Sequence, residues 1–409
     1  MYAFFFCDKM LGGLGRCGRM ELTKMQLRRF LLLRHGLVGA RQFDGKEGIM
    51  SLLGRLGSIQ YDPVNVCGRS PELTLLARVK NYDENMLWEL LYKDRLLLDH
   101  YDKCMCIMPR EDFGYLRRMR ESSSIYGRSR ENIEAVIPAV MQAAAEKEYI
   151  SSKDLGMNDR IDWPWGSTSI GRAAAERLYF EGRLAVHHKE GAVRFYTLPE
   201  KIGMEEYIYA EEPHKEDGDY FRWIVRRRLY SIGIMENRGG DGFLGIKGLS
   251  AAVRRQCFAE LENEGCIFPV TADGKVYYID SRDRDILERA ISPGFKTTAR
   301  CELIAPLDNL MWDRKIVSHI FDFDYKWEIY TPKEKLKYGH YVLPVLYRDR
   351  LVGRIEPVAD RKKKVLEVRN FWPEEGFAPS KSFRTTLMQA LDRLAKYNKC
   401  KEVKILCSI

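Results

Sequence analysis

The chain has 409 residues, more than one hydrophobic core usually organises, so we expect two to four domains of roughly 100 to 150 residues each. Hydrophobic residues make up 45% and charged residues 31%, which is ordinary for a globular protein, and no segment approaches the roughly 20 apolar residues of a membrane-spanning helix. The net charge of +9 is compatible with a polyanionic partner. We therefore expect a soluble cytoplasmic protein without a membrane partner.

The N-terminal residues 1–19 are predicted to be a disordered extension or the product of an upstream start codon, because Met20 directly precedes an amphipathic helix. The apolar patch at residues 3–7 is too short for a signal peptide and follows no basic residue. The ten cysteines form no C-x-x-C pair and have no histidine at zinc-ligand spacing. This usage favours a reducing compartment and no metal site.

A helix over residues 46–56 is predicted next, followed by Gly57 and a strand over residues 58–62. Because side chains alternate along a strand, Gln60 and Asp62 project to one face. A carboxylate there could orient a water or stabilise a cation, and an amide could hold that water. From the residues alone, a structural role is the better interpretation, since Asp before Pro often ends a strand.

Basic residues cluster at three places. The clusters are Arg117, Arg118, Arg120, Arg128 and Arg130 around a run of serines; Arg226, Arg227 and Arg228; and Arg361, Lys362, Lys363 and Lys364. Any one run could be a solvated face, but three together favour contacts with phosphate groups.

The middle of the chain contains an internal repeat. Residues 171–198 and 251–280 each predict a helix, a glycine and a two-stranded hairpin. Gly182 and Gly265 are 83 residues apart, and so are the turn residues Gly191 and Gly274. A helix followed by a tight hairpin is the winged-helix form, and residues 46–62 fit a degenerate third copy that lacks its wing.

From about residue 298 the pattern changes to short β-rich runs, which predict a small barrel or sandwich closed by a helix over residues 381–397. The expected fold class is therefore α+β, with tandem winged-helix domains followed by a small C-terminal β-barrel and a terminal helix. The predicted parts are the extension 1–19, a degenerate winged-helix domain with the strand of Gln60 at 20–128, winged-helix domains at 129–204 and 205–297, and the barrel with its helix at 298–409.

Common catalytic signatures are missing from the sequence. There is no G-x-x-x-x-G-K-[ST] loop, no H-E-x-x-H, no G-x-S-x-G, and no G-x-G-x-x-G after a strand. Nucleotide hydrolysis and zinc proteolysis are thereby excluded.

Several separated blocks resemble the AlkZ/YcaQ family of bacterial DNA glycosylases. They are LGSIQYDPVNV at residues 56–66 followed by Arg69 and Ser70, LIAPLDNLMWDR at 303–314, FDYKWEIY at 323–330, YGHYVLP at 338–344 and DRLVGR at 349–354. The resemblance runs from about Met20 to the end of the chain. Its several blocks in the right order make it far more specific than the short Q-x-D match of Gln60 and Asp62.

The resemblance implies tandem winged-helix domains and a barrel that form a concave DNA-binding surface. It also implies removal of N7-alkylated purines and unhooking of interstrand crosslinks. The family motif is Q-x-Q in the AlkZ branch and Q-x-D in the YcaQ branch, so Gln60 and Asp62 resemble the latter. Family members often carry a histidine before the proline matching Pro109, where this chain has Lys103, and this departure bears on substrate range.

We therefore predict a monomeric, monofunctional DNA glycosylase that needs no cofactor and acts on double-stranded DNA with alkylated or crosslinked bases. Asp62 would stabilise the cationic sugar and orient or deprotonate water, and Gln60 would position that water or contact the sugar of the lesion. The predicted DNA contacts are Arg69, Ser70, Arg117, Arg118, Arg128 and Arg130, although a structural ion pair is an equal alternative for Arg69. Two other hypotheses are a winged-helix transcription regulator without enzymatic activity and a protein that binds alkylated DNA without cutting it.

Overall fold

The computed structural model describes residues 19–121, 129–164 and 166–409. The predicted extension up to residue 18 and the predicted DNA contact Arg128 lie outside the described residues. Within those ranges, no helix combines the length and the apolar character needed to cross a membrane.

The N-terminal part surrounds a three-stranded sheet. Its elements are β1 (Met20–Glu21), α1 (Lys24–Arg34), β2 (Phe43–Asp44), α2 (Gly45–Leu56), β3 (Ile59–Gln60), α3 (Ser70–Leu76), β4 (Val79–Lys80), α4 (Glu84–Tyr92), β5 (Leu97–Tyr101), β6 (Met105–Pro109) and α5 (Arg117–Glu121). The sheet order is β3-β6-β5, and both pairings are antiparallel. Helix α2 is followed by Gly57 at φ 74°, a left-handed conformation that favours glycine and turns the chain into β3.

Two helix–hairpin units follow, as the repeat predicts. The elements are α6 (Arg130–Glu146), β7 (Arg160–Ile161), β8 (Thr168–Ser169), α7 (Ile170–Glu181), β9 (Ala185–Glu190), β10 (Val193–Thr197), α8 (Glu205–Ile208), α9 (Asp217–Ile232), α10 (Ala251–Asn263), β11 (Ile267–Ala272), β12 (Lys275–Asp280) and α11 (Arg284–Ile291). After α7 and α10 the chain passes through Gly182 at φ 76° and Gly265 at φ 71° into an antiparallel hairpin. The winged-helix assignment and the domain boundaries stay predictions.

The N-terminal residues join the second unit, which the sequence did not indicate. Strand β1 pairs in parallel with β11, with Met20 opposite Val270, and forms the sheet β1-β11-β12. Helix α1 packs against α11 and contributes Phe30 and Leu31 to the largest core. Residues at the start of the described chain therefore help to fold a unit more than 200 residues away.

The C-terminal part is the predicted β-rich region with its terminal helix, and its sheet is an open half-barrel instead of a complete barrel. Its elements are β13 (Cys301–Leu303), α12 (Arg314–Phe321), β14 (Leu343–Tyr347), β15 (Arg350–Asp360), β16 (Val365–Pro373), α13 (Lys381–Tyr397) and β17 (Glu402–Ile405). The sheet order is β13-β14-β15-β16-β17, so the two end strands do not meet. Helix α13 has the predicted bounds and crosses the sheet, packing Phe383 and Leu391 into its core, before β17 pairs in parallel with β16.

A buried ion pair joins the N-terminal part to the half-barrel. Arg78 and Asp308 are both fully buried, and the guanidinium donates two hydrogen bonds of 2.7 Å to the carboxylate. Arg78 also donates to the backbone oxygens of His35 at 2.8 Å and Thr74 at 2.9 Å. Burial favours the neutral acid, but the charge of Arg78 lowers the pKa of Asp308 below its ordinary value. The pair is therefore charged and almost fully satisfied.

We expect Asp308→Ala to lower the free energy of unfolding by about 3–5 kcal/mol, because it leaves the Arg78 guanidinium buried without a counter-charge. Urea denaturation of the purified protein measures this loss. Lys399→Ala removes the exposed Lys399–Glu84 pair and is the control, expected to change stability by less than about 1 kcal/mol. The double variant Arg78→Met/Asp308→Leu should recover most of the loss, and equal damage from the control and Asp308→Ala would contradict the assignment.

Candidate active site

Gln60 lies at the end of β3, where the strand still pairs with its neighbour. Gln60 is opposite Cys106, and the backbone N–H of Tyr61 donates to the carbonyl oxygen of Met105 at 2.8 Å. Among the described residues, the buried Oε1 of Gln60 accepts no hydrogen bond. An unsatisfied buried acceptor is costly, so a donor that reaches this oxygen, such as a water molecule, would be stabilised there.

Asp62 follows the strand and shapes the next turn. Its Oδ1 accepts a hydrogen bond of 2.9 Å from the backbone N–H of Val64. The side chain is half-buried, and burial raises its pKa above the ordinary value although the Val64 hydrogen bond acts in the opposite direction. No basic residue of the described chain offsets this effect. The structure therefore holds a partly desolvated carboxylate without a cationic partner.

Buried groups fix the backbone just before Gln60. Asp102 is buried and accepts a hydrogen bond of 2.8 Å from the Ser58 hydroxyl. Arg227 donates to the same carboxylate at 3.0 Å and to the carbonyl oxygen of Gly57 at 3.1 Å. The side-chain amide of Asn309 donates to the carbonyl oxygen of Ser58 at 2.8 Å. Residues from three distant segments thus hold the two residues that precede the strand.

The charge of Asp102 is maintained by two arginines of α9. Arg228 forms a fully buried ion pair with Asp102, next to the pair with Arg227. Burial alone would raise the pKa of Asp102, but Arg228 and Arg227 hold it well below its ordinary value. The expected phosphate contacts from this basic run are therefore wrong for Arg227 and Arg228, which are engaged inside the protein.

The opposite side of the strand borders a cleft of about 240 Å³ between α4 and the β9–β10 hairpin. Tyr61 lines this cleft and lies 4.1 Å from the Nζ of Lys189, measured to the ring centroid. Lys189 pairs with the buried Asp99, which also accepts hydrogen bonds from Tyr92 at 3.0 Å and Tyr179 at 3.2 Å. This network ties the first hairpin to the sheet that carries Gln60.

Of the predicted DNA contacts, Arg69 and Ser70 lie nearest to the candidate site. Arg69 also lines the cleft beside Tyr61, and its guanidinium pairs with Glu72 at 2.9 Å. Ser70 is buried, and its hydroxyl makes no hydrogen bond within the described chain. The structure thus shows the ion pair that was the alternative for Arg69, and DNA contact by either residue stays a prediction.

The other predicted contacts are not linked to Gln60 and Asp62 by any contact in the described residues. Arg117 pairs with Glu121 at 2.8 Å, and Arg130 pairs with Glu134 at the same distance. Arg118 binds the carboxylate of Asp217 and the carbonyl oxygen of His214. Arg117 and Arg130 remain partly accessible to a ligand, whereas Arg118 mainly connects two parts of the protein.

Sequence reasoning missed several residues that surround or support Asp62. Burial raises the pKa of the Tyr330 and Tyr341 hydroxyls, and the Asp62 charge raises it further, as the next cause for Tyr330 and as a smaller one than Cys67 and Tyr325 for Tyr341. These tyrosines and Asn309 belong to the sequence blocks quoted above, so the blocks that carry the family resemblance already contained them. Asp102 had no such signal, because its partners are 44 and 125 or more residues away.

Comparison with known proteins identifies the class. A profile of the family described as DNA glycosylase AlkZ-like matches residues 53–397. The chain therefore belongs to the AlkZ-like DNA glycosylase family. A solved structure, the Streptomyces sahachiroi DNA glycosylase AlkZ, is similar in fold, with a TM-score of 0.63, 14% identity, and coverage of 95% of this chain and 100% of that chain.

We expect Asp62→Asn to raise the melting temperature at pH 7. Burial raises the pKa of Asp62 above its unfolded value, so the ionised carboxylate destabilises the folded chain at neutral pH. That destabilisation is absent below the unfolded pKa, where both states are protonated, and it develops as pH rises through the folded pKa. Thermal unfolding of both proteins at pH 7 and near pH 4 should show a difference that shrinks on acidification. The exposed Asp285→Asn should give no such gain, and a lower melting temperature for Asp62→Asn at pH 7 would contradict the expectation.

Proposed function

We propose that this protein hydrolyses the N-glycosidic bond of N7-alkylated purines in double-stranded DNA and unhooks interstrand crosslinks formed through such purines. The supporting observation is the half-buried Asp62 carboxylate, which lacks a cationic partner in the described chain and follows the unsatisfied Oε1 of Gln60. Membership of a DNA glycosylase family makes a cationic nucleotide the natural partner for this carboxylate.

The chemistry requires little from the enzyme, because alkylation at N7 makes the purine cationic and weakens its bond to the sugar. The bond electrons leave with N9, which neutralises the departing base and leaves an oxocarbenium-like sugar. Ionised Asp62 stabilises this cation. Water then attacks C1′ while one of its O–H groups donates to the Gln60 Oε1, and its proton passes to Asp62 or to solvent. No cofactor takes part in this mechanism.

The proposed use of crosslinked substrates rests on how exposed the site is. A crosslinked nucleotide is tethered to the opposite strand and cannot swing into a deep pocket. Asp62 is only half-buried, and Pro63, next to it, is exposed. The duplex can therefore approach the carboxylate without extruding the damaged nucleotide far from the helix.

The basic turn between β15 and β16 supports DNA binding at this site. The backbone N–H of Ala359 donates to the carbonyl oxygen of Val66 at 3.2 Å, and Arg361 donates to the side-chain oxygen of Asn65 at 2.5 Å. The turn is thus bonded to the segment that follows Asp62. Lys362 and Lys363 are exposed on it and would bind phosphates near the lesion.

The helix–hairpin units and further basic residues would hold the duplex. The two helix–hairpin units would act as winged-helix modules, and Arg69, Arg117, Arg128 and Arg130 would add phosphate contacts. Binding would then be sensitive to salt and nearly independent of sequence. We propose a monofunctional monomer that works in the cytoplasm on the nucleoid.

The proposal predicts release of free base from a duplex containing one N7-methylguanine. We expect Asp62→Asn and Asp62→Ala to lower the single-turnover rate by about 10²- to 10⁴-fold. Gln60→Ala should lower it by about tenfold, since it removes one hydrogen bond to water. The wild-type rate should fall on acidification as Asp62 protonates, at a pH above the ordinary pKa of an aspartate.

The control for this assay is Asp285→Asn, which removes an exposed carboxylate from α11 and should leave the rate unchanged. Strand breaks should appear only after alkali, as expected of a monofunctional enzyme. Wild-type base release that persists in both Asp62 variants would eliminate the mechanism. Selective binding of one DNA sequence without base release would favour a regulator instead.

The salt dependence of DNA binding should show whether the basic turn contacts phosphates. If Lys362 and Lys363 each contact one phosphate, the double variant Lys362→Gln/Lys363→Gln should reduce the slope of log K against log salt by about 2. Fluorescence anisotropy with a labelled duplex between 50 and 200 mM salt measures the slope. Lys80→Gln/Lys381→Gln removes the same charge from exposed positions outside the basic turn and the two helix–hairpin units and should preserve the slope. An unaltered slope in the first variant would exclude the turn from the interface.

A further inference from the structure

The segment between α12 and β14 presents an unusually exposed aromatic side chain. Tyr330 is 78% exposed, whereas Tyr325 and Tyr341 in the same segment are buried. A single exposed aromatic residue is common on protein surfaces and has no meaning by itself. Its position relative to Asp62 is what makes Tyr330 informative.

Tyr330 lies at the edge of the candidate active site. Its ring contacts Trp327, with centroids 5.9 Å apart, and Trp327 contacts Tyr341 at 6.2 Å. The Tyr341 hydroxyl donates to the carbonyl oxygen of Gly68 at 2.9 Å, in the segment that follows Asp62. This chain of contacts places Tyr330 on the solvent side of an aromatic cluster that packs against the Asp62 segment.

The loop that carries Tyr330 is held by a buried carboxylate. Glu328 is 6% exposed and accepts hydrogen bonds from the backbone N–H groups of Lys337 at 3.0 Å and Tyr338 at 2.9 Å. The backbone N–H of Thr331 donates to the carbonyl oxygen of Glu328 at 2.8 Å. Tyr330 therefore lies on a loop whose two sides are joined by hydrogen bonds. Because the loop is already ordered, it loses little conformational entropy when it binds a ligand.

The same loop is positively charged on its surface. Its exposed lysines are Lys326, Lys333, Lys335 and Lys337, whereas Glu334 is the one exposed carboxylate among residues 326–340. Lysines attract phosphates, and a free aromatic face stacks on a nucleobase of any sequence. An exposed tyrosine among lysines beside a carboxylate fits a nucleic acid better than an apolar protein surface.

We propose that Tyr330 inserts beside the lesion and stacks on a nucleobase exposed where the duplex is locally unstacked, so that it holds the lesion's glycosidic bond over Asp62 while the lysines of its loop bind the flanking phosphates. This inference deepens the proposed function and rests on it. Tyr330 would be a positioning residue that acts through the substrate's geometry, and its hydroxyl would take no part in the chemistry.

The test compares Tyr330→Ala with Tyr330→Phe on a duplex that carries N7-methylguanine next to the fluorescent base 2-aminopurine. Tyr330→Ala should lower kcat/KM by about 5- to 150-fold, the usual range for losing one base–aromatic stack. It should also abolish the change in 2-aminopurine fluorescence on binding. Tyr330→Phe, which keeps the ring, should retain both. Tyr209, another exposed tyrosine, gives the control variant Tyr209→Ala, which should behave like the wild type.

The two readouts separate this inference from the glycosylase proposal. Wild-type base release with an unaffected Tyr330→Ala variant, or equal loss in the Ala and Phe variants, would overturn stacking. If the wild type releases no base, the glycosylase proposal fails, but the fluorescence change still tests stacking. Loss of that change in Tyr330→Ala but not in Tyr330→Phe supports stacking, whereas a change that persists in Tyr330→Ala refutes it. Because Tyr330 is exposed, matching melting curves should show that all variants are folded.

Discussion

The carboxylate of Asp102 is the group on which the candidate active site depends most directly. It lies in the turn between β5 and β6 and binds the Ser58 hydroxyl on one side and two arginines of α9 on the other. A buried carboxylate without these partners would strongly destabilise the protein. Strands β5 and β6 and helix α9 can therefore assume their positions only together. The strand of Gln60 is thus fixed by residues that lie far away in the sequence.

Two other buried contacts extend this dependence to the half-barrel. Asn309 holds the carbonyl oxygen of Ser58, and its neighbour Asp308 forms the buried pair with Arg78. The segment that carries both residues follows β13. An error in docking the half-barrel would therefore displace the backbone before Gln60, and a displacement of about 1 Å at a catalytic group can cost about 10²-fold in rate. This coupling makes the position of the candidate active site depend on the half-barrel as well as on the N-terminal part.

Local patterns allowed part of this structure to be predicted. The glycine spacing located both helix–hairpin units, and α13 has the predicted bounds, because both depend on residues close together in the sequence. The open edge of the half-barrel and the buried ion pairs of Arg227 and Arg228 depend on residues that are distant in the sequence, so local patterns could not predict them. The sequence pattern of a basic run is the same whether its side chains bind phosphates or buried carboxylates. Only the folded structure shows that Asp102 lies beside Arg227 and Arg228. Gln60 and Asp62 were found through their short motif and the neighbouring blocks, whereas local sequence could not show that Asp62 would lack a cation.

That missing cation is the feature that connects the structure to the proposed substrate. Enzymes commonly place an arginine or lysine beside a partly buried carboxylate, which lowers its pKa and neutralises its charge. Here the charge of Asp62 is uncompensated in the described chain, so the attraction to a positive ligand is stronger than it would be beside a built-in partner.

An N7-alkylated purine nucleotide brings a positive charge that moves towards the sugar as the bond breaks. An undamaged purine nucleotide brings no such charge, so a carboxylate that would stabilise the reaction of the lesion would offer little to normal DNA. In this mechanism, discrimination between damaged and normal bases is electrostatic and does not require a pocket that fits one alkyl group.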